Sequence, residues 1–138
     1  MTEKKSYVSE RVTNGQRLTI SYGGPDVFAG DGIRDFFEYR DLGFKASTGG
    51  QFSAQVIRAK RGMTDLSTGM HSHALNFQMI YFLRGSTTVR CEGEGVFRLK
   101  AGDSILQPPG GKHEVLDFSD DLEFLEIVSP AEYVTTPG

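Results

Sequence analysis

The 138-residue chain contains three histidines. Two of them, His71 and His73, sit one residue apart in "GMHSHALNFQMIYFLRG" (69–85), and the third, His113, lies in "GDSILQPPGGKHEVLD" (102–117). In an extended strand, residues i and i+2 point to the same face, so the first pair projects together. Two imidazoles on one strand face can grip a single metal ion. His113 follows a Pro-Pro-Gly-Gly turn and opens another strand-like stretch. Antiparallel pairing across a small barrel brings it opposite the first pair. The chemistry implied is that of one divalent ion held by neutral nitrogen ligands. Fe, Ni, Zn, Cu and Mn all suit such a set, and the ligands alone do not select among them.

Elements able to position these side chains follow from the punctuation. Seventeen glycines and five prolines break the chain into short pieces. Strand character is found at 17–21, 51–59, 76–85, 86–93, 95–102, 104–108, 113–119 and 122–130. These stretches are rich in β-branched and aromatic residues and bounded by Gly, Pro, Asp and Ser. "LRGST" and "EGEG" read as tight hairpin connections. Many short strands with frequent turn signals predict an all-β sandwich or barrel. "GDGIRDFFEYRDLG" (30–43) is the stretch that could hold a helical turn. The first 15 or so residues and the terminal "TTPG" are expected to be mobile unless a partner holds them.

The frame around the histidines resembles the two motifs of the cupin superfamily. His71, His73, Gln78 and Gly85 match the spacing of the first motif. Gly102, Pro108, Gly110 and His113 match the second, with Asp117 in its Asn position. The resemblance implies a double-stranded β-helix (jelly-roll) barrel: one cupin domain over 1–138, with a core at about 45–130. The N-terminal extension 1–44 would add strands or a subunit contact. It also implies a metal site made by His71, His73, His113 and the residue at 78. Two positions depart from the pattern without touching the metal. The glycine that opens the first motif falls at Asp65, with Gly62 and Gly69 nearest, and Asp117 bears on a strand-end hydrogen bond. The third departure is chemical: the family usually has Glu where this chain has Gln78. An amide can ligate through its oxygen but is neutral, so three imidazoles and one amide leave a divalent ion its full +2 charge. Such a site favours an anionic chelating ligand: an enolate, diketonate, 2-oxo acid or uronate.

If Gln78 faces inward, alternation places Ile80 and Phe82 beside it and turns Phe77, Met79 and Tyr81 to the other face. Ten phenylalanines suggest an apolar interior suited to a small organic ligand with a few polar handles. Candidate handles are Arg58, Arg90, Gln107, Tyr81 and Glu126; Tyr81, Arg58 and Glu126 are the candidates for a catalytic role. Glu126 would have a raised pKa if it faced the barrel, and Glu123 would then face away. Two enzymatic readings follow: dioxygenase-type cleavage of a small dicarbonyl compound, and isomerisation or lysis of a sugar acid. A cupin that binds a small ligand without turnover is a third.

A net charge of −3 gives no basic field for nucleic acid or anionic membrane, and "RAKRG" (58–62) reads as a solvated turn. No run approaches a membrane span, and no apolar segment marks a secretory signal. Cys91 is the single cysteine. It predicts a reducing, cytoplasmic setting and a buried small side chain. Outward apolar positions such as Met79 and Tyr81 predict a homodimer.

Overall fold

The computed structural model describes residues 6–24, 27–30, 36–60 and 67–138. Twelve strands and one helical turn are formed among them. Two five-stranded antiparallel sheets face each other. The first is built from β5 (His71–His73), β7 (Ser86–Cys91), β8 (Gly95–Lys100), β10 (His113–Phe118) and β12 (Thr135–Pro137), in the order β12-β5-β10-β7-β8. The second is built from β3 (Phe37–Asp41), β4 (Ser53–Ala59), β6 (Phe77–Arg84), β9 (Ser104–Leu106) and β11 (Glu123–Ser129), in the order β3-β4-β11-β6-β9. This is the jelly-roll barrel that the motifs imply. A separate hairpin joins β1 (Ser6–Thr13) to β2 (Gln16–Ser21).

Side-chain alternation builds the interior. β11 reads "EFLEIVS", and every second residue, Phe124, Glu126 and Val128, is buried. Phe37, Ile57, Phe82, Phe118, Leu122 and Phe124 form the core with Ala59. Ring centroids lie 5.2 Å apart for Phe37 and Phe118 and 5.8 Å for Phe82 and Phe124. On β10 the core ring of Phe118 stands at one end of the strand and His113 at the other, and all three histidines belong to the first sheet.

The eight strand-like stretches each hold a strand, most of them trimmed by one or two residues. Three expectations change. Phe37–Asp41, inside the stretch read as helix-capable, is β3, because its register with β4 gives Phe37 a core position; residues 31–35 of that stretch lie outside the described residues, as do Gly62 and Asp65 of the motif entry. The short helix is instead α1 (Phe44–Ser47). The terminal segments expected to be mobile carry strands where they are described: β1 pairs with β2, and β12 pairs with β5, while residues 1–5 lie outside the described residues.

Gly85 makes the β6–β7 turn at a φ of 75°. A Cβ there would stand 2.8 Å from the Leu122 Cα and would clash with the Ser119 hydroxyl. The Leu122 Cα is core backbone and cannot swing away, and the Ser119 hydroxyl could turn only by giving up its bonds with the Ser86 N–H and Asp121. Gly85→Ala is therefore expected to cost at least about 1–3 kcal/mol. Denaturant melts of the two proteins measure it, and equal midpoints would refute the strain.

Candidate metal centre

Local register sets the histidines. β5 and β10 pair with His71 directly opposite His113, and β5 keeps His71 and His73 close on the same short strand. One ligand nitrogen from each ring lies within 4.8 Å of the other two. The ring centroids are 4.5 Å apart for His71 and His113 and 4.8 Å for His71 and His73. All three residues line one cavity.

The partners of the rings fit a metal. His71 Nδ1 is 2.7 Å from the Gly69 carbonyl oxygen, and His113 Nδ1 is 3.2 Å from that of Gly111. A carbonyl only accepts, so each Nδ1 carries the proton and each Nε2 carries the lone pair. His73 Nδ1 lies 2.8 Å from the Thr135 hydroxyl. Such outer contacts fix ring orientation and tautomer in metal sites. The donor set therefore suits a divalent first-row ion. Thr135 belongs to the terminal segment that had been expected to be mobile. No local sequence signal marks it, since its role arises only when β12 pairs with β5. Thr135→Val is expected to weaken divalent-metal binding by about tenfold. Competition with a chelator measures this, and unchanged affinity would dismiss the contact.

The facing sheet supplies Gln78, Glu126 and Gln55. Gln78 is 5% exposed and Glu126 8% exposed, and all three residues line the cavity. Gln55 and Glu126 are directly paired across β4 and β11, while Gln78 lies diagonally on β6. Gln78 Nε2 donates to Glu126 Oε2 at 3.0 Å, and Gln55 Nε2 donates to Oε1 at 3.1 Å. Burial raises the Glu126 pKa, and the two amide donors oppose that without cancelling it. A carboxyl group therefore stands directly behind the neutral amide, one hydrogen bond further out.

The remaining candidates separate cleanly. Glu126 and Gln107 are in the cavity wall, as are Ile80 and Phe82. Arg58, Arg90 and Tyr81 are not among the residues that line it. Arg58 faces outward, with Nε 2.7 Å from Glu38 Oε2 and its guanidinium 3.9 Å from the centre of the Phe28 ring. Arg90 is half exposed and ion-paired with Glu114. Tyr81 is 42% exposed on the outer face, where alternation from an inward Gln78 must put it. Asp117 faces Arg98, away from the histidines. Cys91 is half-buried, and its thiol pKa is raised by burial and by Glu94, which makes it a poor nucleophile.

The cavity has a volume of about 110 Å³. Its walls are mostly apolar, including Phe37, Ile57, Phe82, Val89, Ile105 and Phe124. Gln55, Tyr39 and Tyr133 were not foreseen as lining residues. Tyr133 stands with its ring edge-on to His73 at 5.4 Å, and burial pushes its pKa up, so it remains a phenol and a hydrogen-bond donor. Among the described residues, no lysine or arginine lines the cavity.

Residues 64–128 match the family model described as Cupin domain. Solved structures share the fold. The polyketide cyclase RemF from Streptomyces resistomycificus aligns with a TM-score of 0.61 at 21% identity, over 74% of this chain and 70% of that one. KdgF from Halomonas sp. aligns with a TM-score of 0.55 at 20% identity, over 74% and 87%. Oxalate decarboxylase from Bacillus subtilis, described for its Mn(II) centres, aligns with a TM-score of 0.56 at 21% identity. That alignment covers 73% of this chain and 27% of the decarboxylase, so the chain spans about a quarter of its length. No curated protein matches the chain.

Proposed function

We propose that this chain, a member of the cupin superfamily, is a metal-dependent enzyme that binds a small dicarbonyl compound as its enolate and cleaves it with dioxygen. The observation that carries the reading is the wall of the cavity. A three-histidine cluster lies in a space whose surface is mostly apolar, with the amides of Gln55, Gln78 and Gln107, the hydroxyls of Thr68 and Thr87 and two phenols as its polar groups apart from Glu126 and the Arg90-paired Glu114. A sugar acid would also call for a cation beside its carboxylate, and no lysine or arginine is present among the described lining residues. An enolised dicarbonyl needs no such cation: its two oxygens share one charge, and its flanks are apolar.

His71, His73 and His113 would hold the ion, with Gln78 as the fourth ligand; iron, nickel, zinc and manganese all suit the set. When bound, the ion supplies Lewis acidity at the substrate oxygens and, as Fe(II), access to dioxygen. The protein's own groups do the rest. Phe37, Phe82 and Phe124 exclude water from the ligand's apolar body. Tyr133 and Gln107 offer donors at the polar end. Glu126 is the catalytic candidate in the wall, and its carboxylate can take the carbon-bound proton whose loss makes the enolate. Arg58 and Tyr81 have no part in this chemistry.

The test is oxygen uptake by the iron-loaded protein on a panel of 1,3-dicarbonyls, with deuterium exchange at the central carbon followed without oxygen. Uptake matched to substrate loss supports the proposal. Exchange without uptake points to an isomerase or lyase, for which unsaturated uronates are the next substrates. Tight binding with neither makes the chain a ligand-binding cupin.

The lone cysteine suits a reducing compartment, and we place the protein in the cytoplasm. We further propose a homodimer. Phe77, Tyr81 and Leu83 on β6 and Leu106 on β9 are exposed on the outer face of one sheet, and Met79 pairs with Leu106 between them. The β1–β2 hairpin exposes Tyr7, Val12 and Leu18 as well. Sedimentation at micromolar concentration is expected to give a dimer that Leu106→Asp weakens while metal content stays constant. A wild-type monomer would contradict it.

A further inference from the structure

The chain Gln55–Glu126–Gln78 runs across three strands of the sheet that faces the histidines. A carboxylate accepts hydrogen bonds and an ionised one donates none, whereas an amide has one end of each kind. The partner of an amide therefore decides which way it points. Gln78 turns its NH₂ toward Glu126 Oε2, so the carbonyl oxygen is the end of the amide left for the cavity that it shares with the histidines. Were the amide reversed, it would present two N–H groups to a cation and could not ligate it.

Glu126 cannot readily swing away from this task. Its other oxygen accepts from Gln55, which is opposite it in register, and both of its sheet neighbours are ordered strands. The side chain is buried between Phe124 and Val128 of its own inward face. We propose that Glu126 is a positioning residue that orients the Gln78 amide with its oxygen toward the three-histidine cluster, an inference that rests on reading that cluster as a metal centre. A family position usually filled by an anionic ligand is here split in two. The amide supplies the ligand atom, and the carboxyl group behind it supplies the direction.

Cobalt(II) affinity, with no substrate and no turnover, separates this role from proton transfer. Glu126→Met keeps the size and removes the acceptor; it is expected to weaken cobalt binding about 10- to 100-fold. Glu126→Gln keeps a carbonyl that can still accept from Gln78, so its loss should be clearly smaller. In a Gln78→Leu background, Glu126→Met should have no further effect. In the metal-free protein, the side-chain NH₂ signal of Gln78 should move in the ¹⁵N spectrum when Glu126 is replaced by Met. Equal losses for the Gln and Met variants would show that charge and not orientation matters, and would overturn the proposal. So would an effect that persists without Gln78, or an unmoved NH₂ signal. If the wild-type protein binds no cobalt while the NH₂ signal does move, the metal reading fails, and the positioning role falls with it.

Discussion

His71→Ala should strip the protein of its metal. The three imidazoles converge from two paired strands, and removing one leaves a two-nitrogen site with a hole beside it. Replacing a partner behind a ligand commonly lowers metal affinity by 10–100-fold, and removing a ligand itself should exceed that. The loss also has a stability readout. A ligand that binds only the folded state stabilises it in proportion to the logarithm of its concentration over Kd, about 2.7 kcal/mol at a hundredfold excess. A hundredfold weaker site loses most of that increment at fixed metal. Metal content after gel filtration and melting temperature with and without added metal measure both effects. The same result is expected for His73→Ala and His113→Ala. Normal metal content in all three single variants would remove the site from consideration.

Gln78→Glu should give a different outcome, and the difference depends on Glu126. In the metal-free protein the substitution sets a second carboxylate within hydrogen-bond distance of the first, where the amide N–H now lies. Two like charges so close share a proton, and one of the pair titrates at a raised pKa. A folded-state carboxylate pKa above the unfolded value means that the folded state holds the extra proton. Stability of the metal-free variant should therefore fall as pH rises above the ordinary carboxylate range and through the raised value. Adding metal should reverse this, because the cation offsets both charges, and metal binding should tighten. Affinity for an anionic chelator should fall by about 1–3 kcal/mol, the scale of losing one buried polar partner. Combining the change with Glu126→Gln should remove the metal-free penalty, since the new amide at 126 can accept from Gln55 and donate to the new carboxylate at 78. Metal affinity, chelator affinity and pH-dependent melting on the same samples decide the matter. A variant with unchanged chelator affinity and unchanged metal content would make Gln78 a bystander, and one that loses metal would show that geometry outweighs charge.

Much of this centre is legible in the chain itself. His71 and His73 share a strand and its short period, Gly85 is marked by glycine's access to positive φ, and the turn before His113 is marked by two fixed prolines followed by two free glycines. Those are local properties, set by backbone sterics within a few residues. The inward phase of Gln78, Ile80 and Phe82 follows from the same alternation, and so does the exposure of Tyr81. What only the tertiary structure decided is pairing between distant strands. Nothing near Glu126 says that it will sit between Gln55, 71 residues away, and Gln78, 48 residues away. Arg58 offered a charge in a plausible strand, yet its register with Glu38 and the ring of Phe28 turned it outward. The last residues read as a polar tail, but Thr135 gained a role when β12 found the open edge of β5. A strand's period tells which side chains share a face, but the partner across that face is chosen by hydrogen-bonded register, which is a property of the whole barrel.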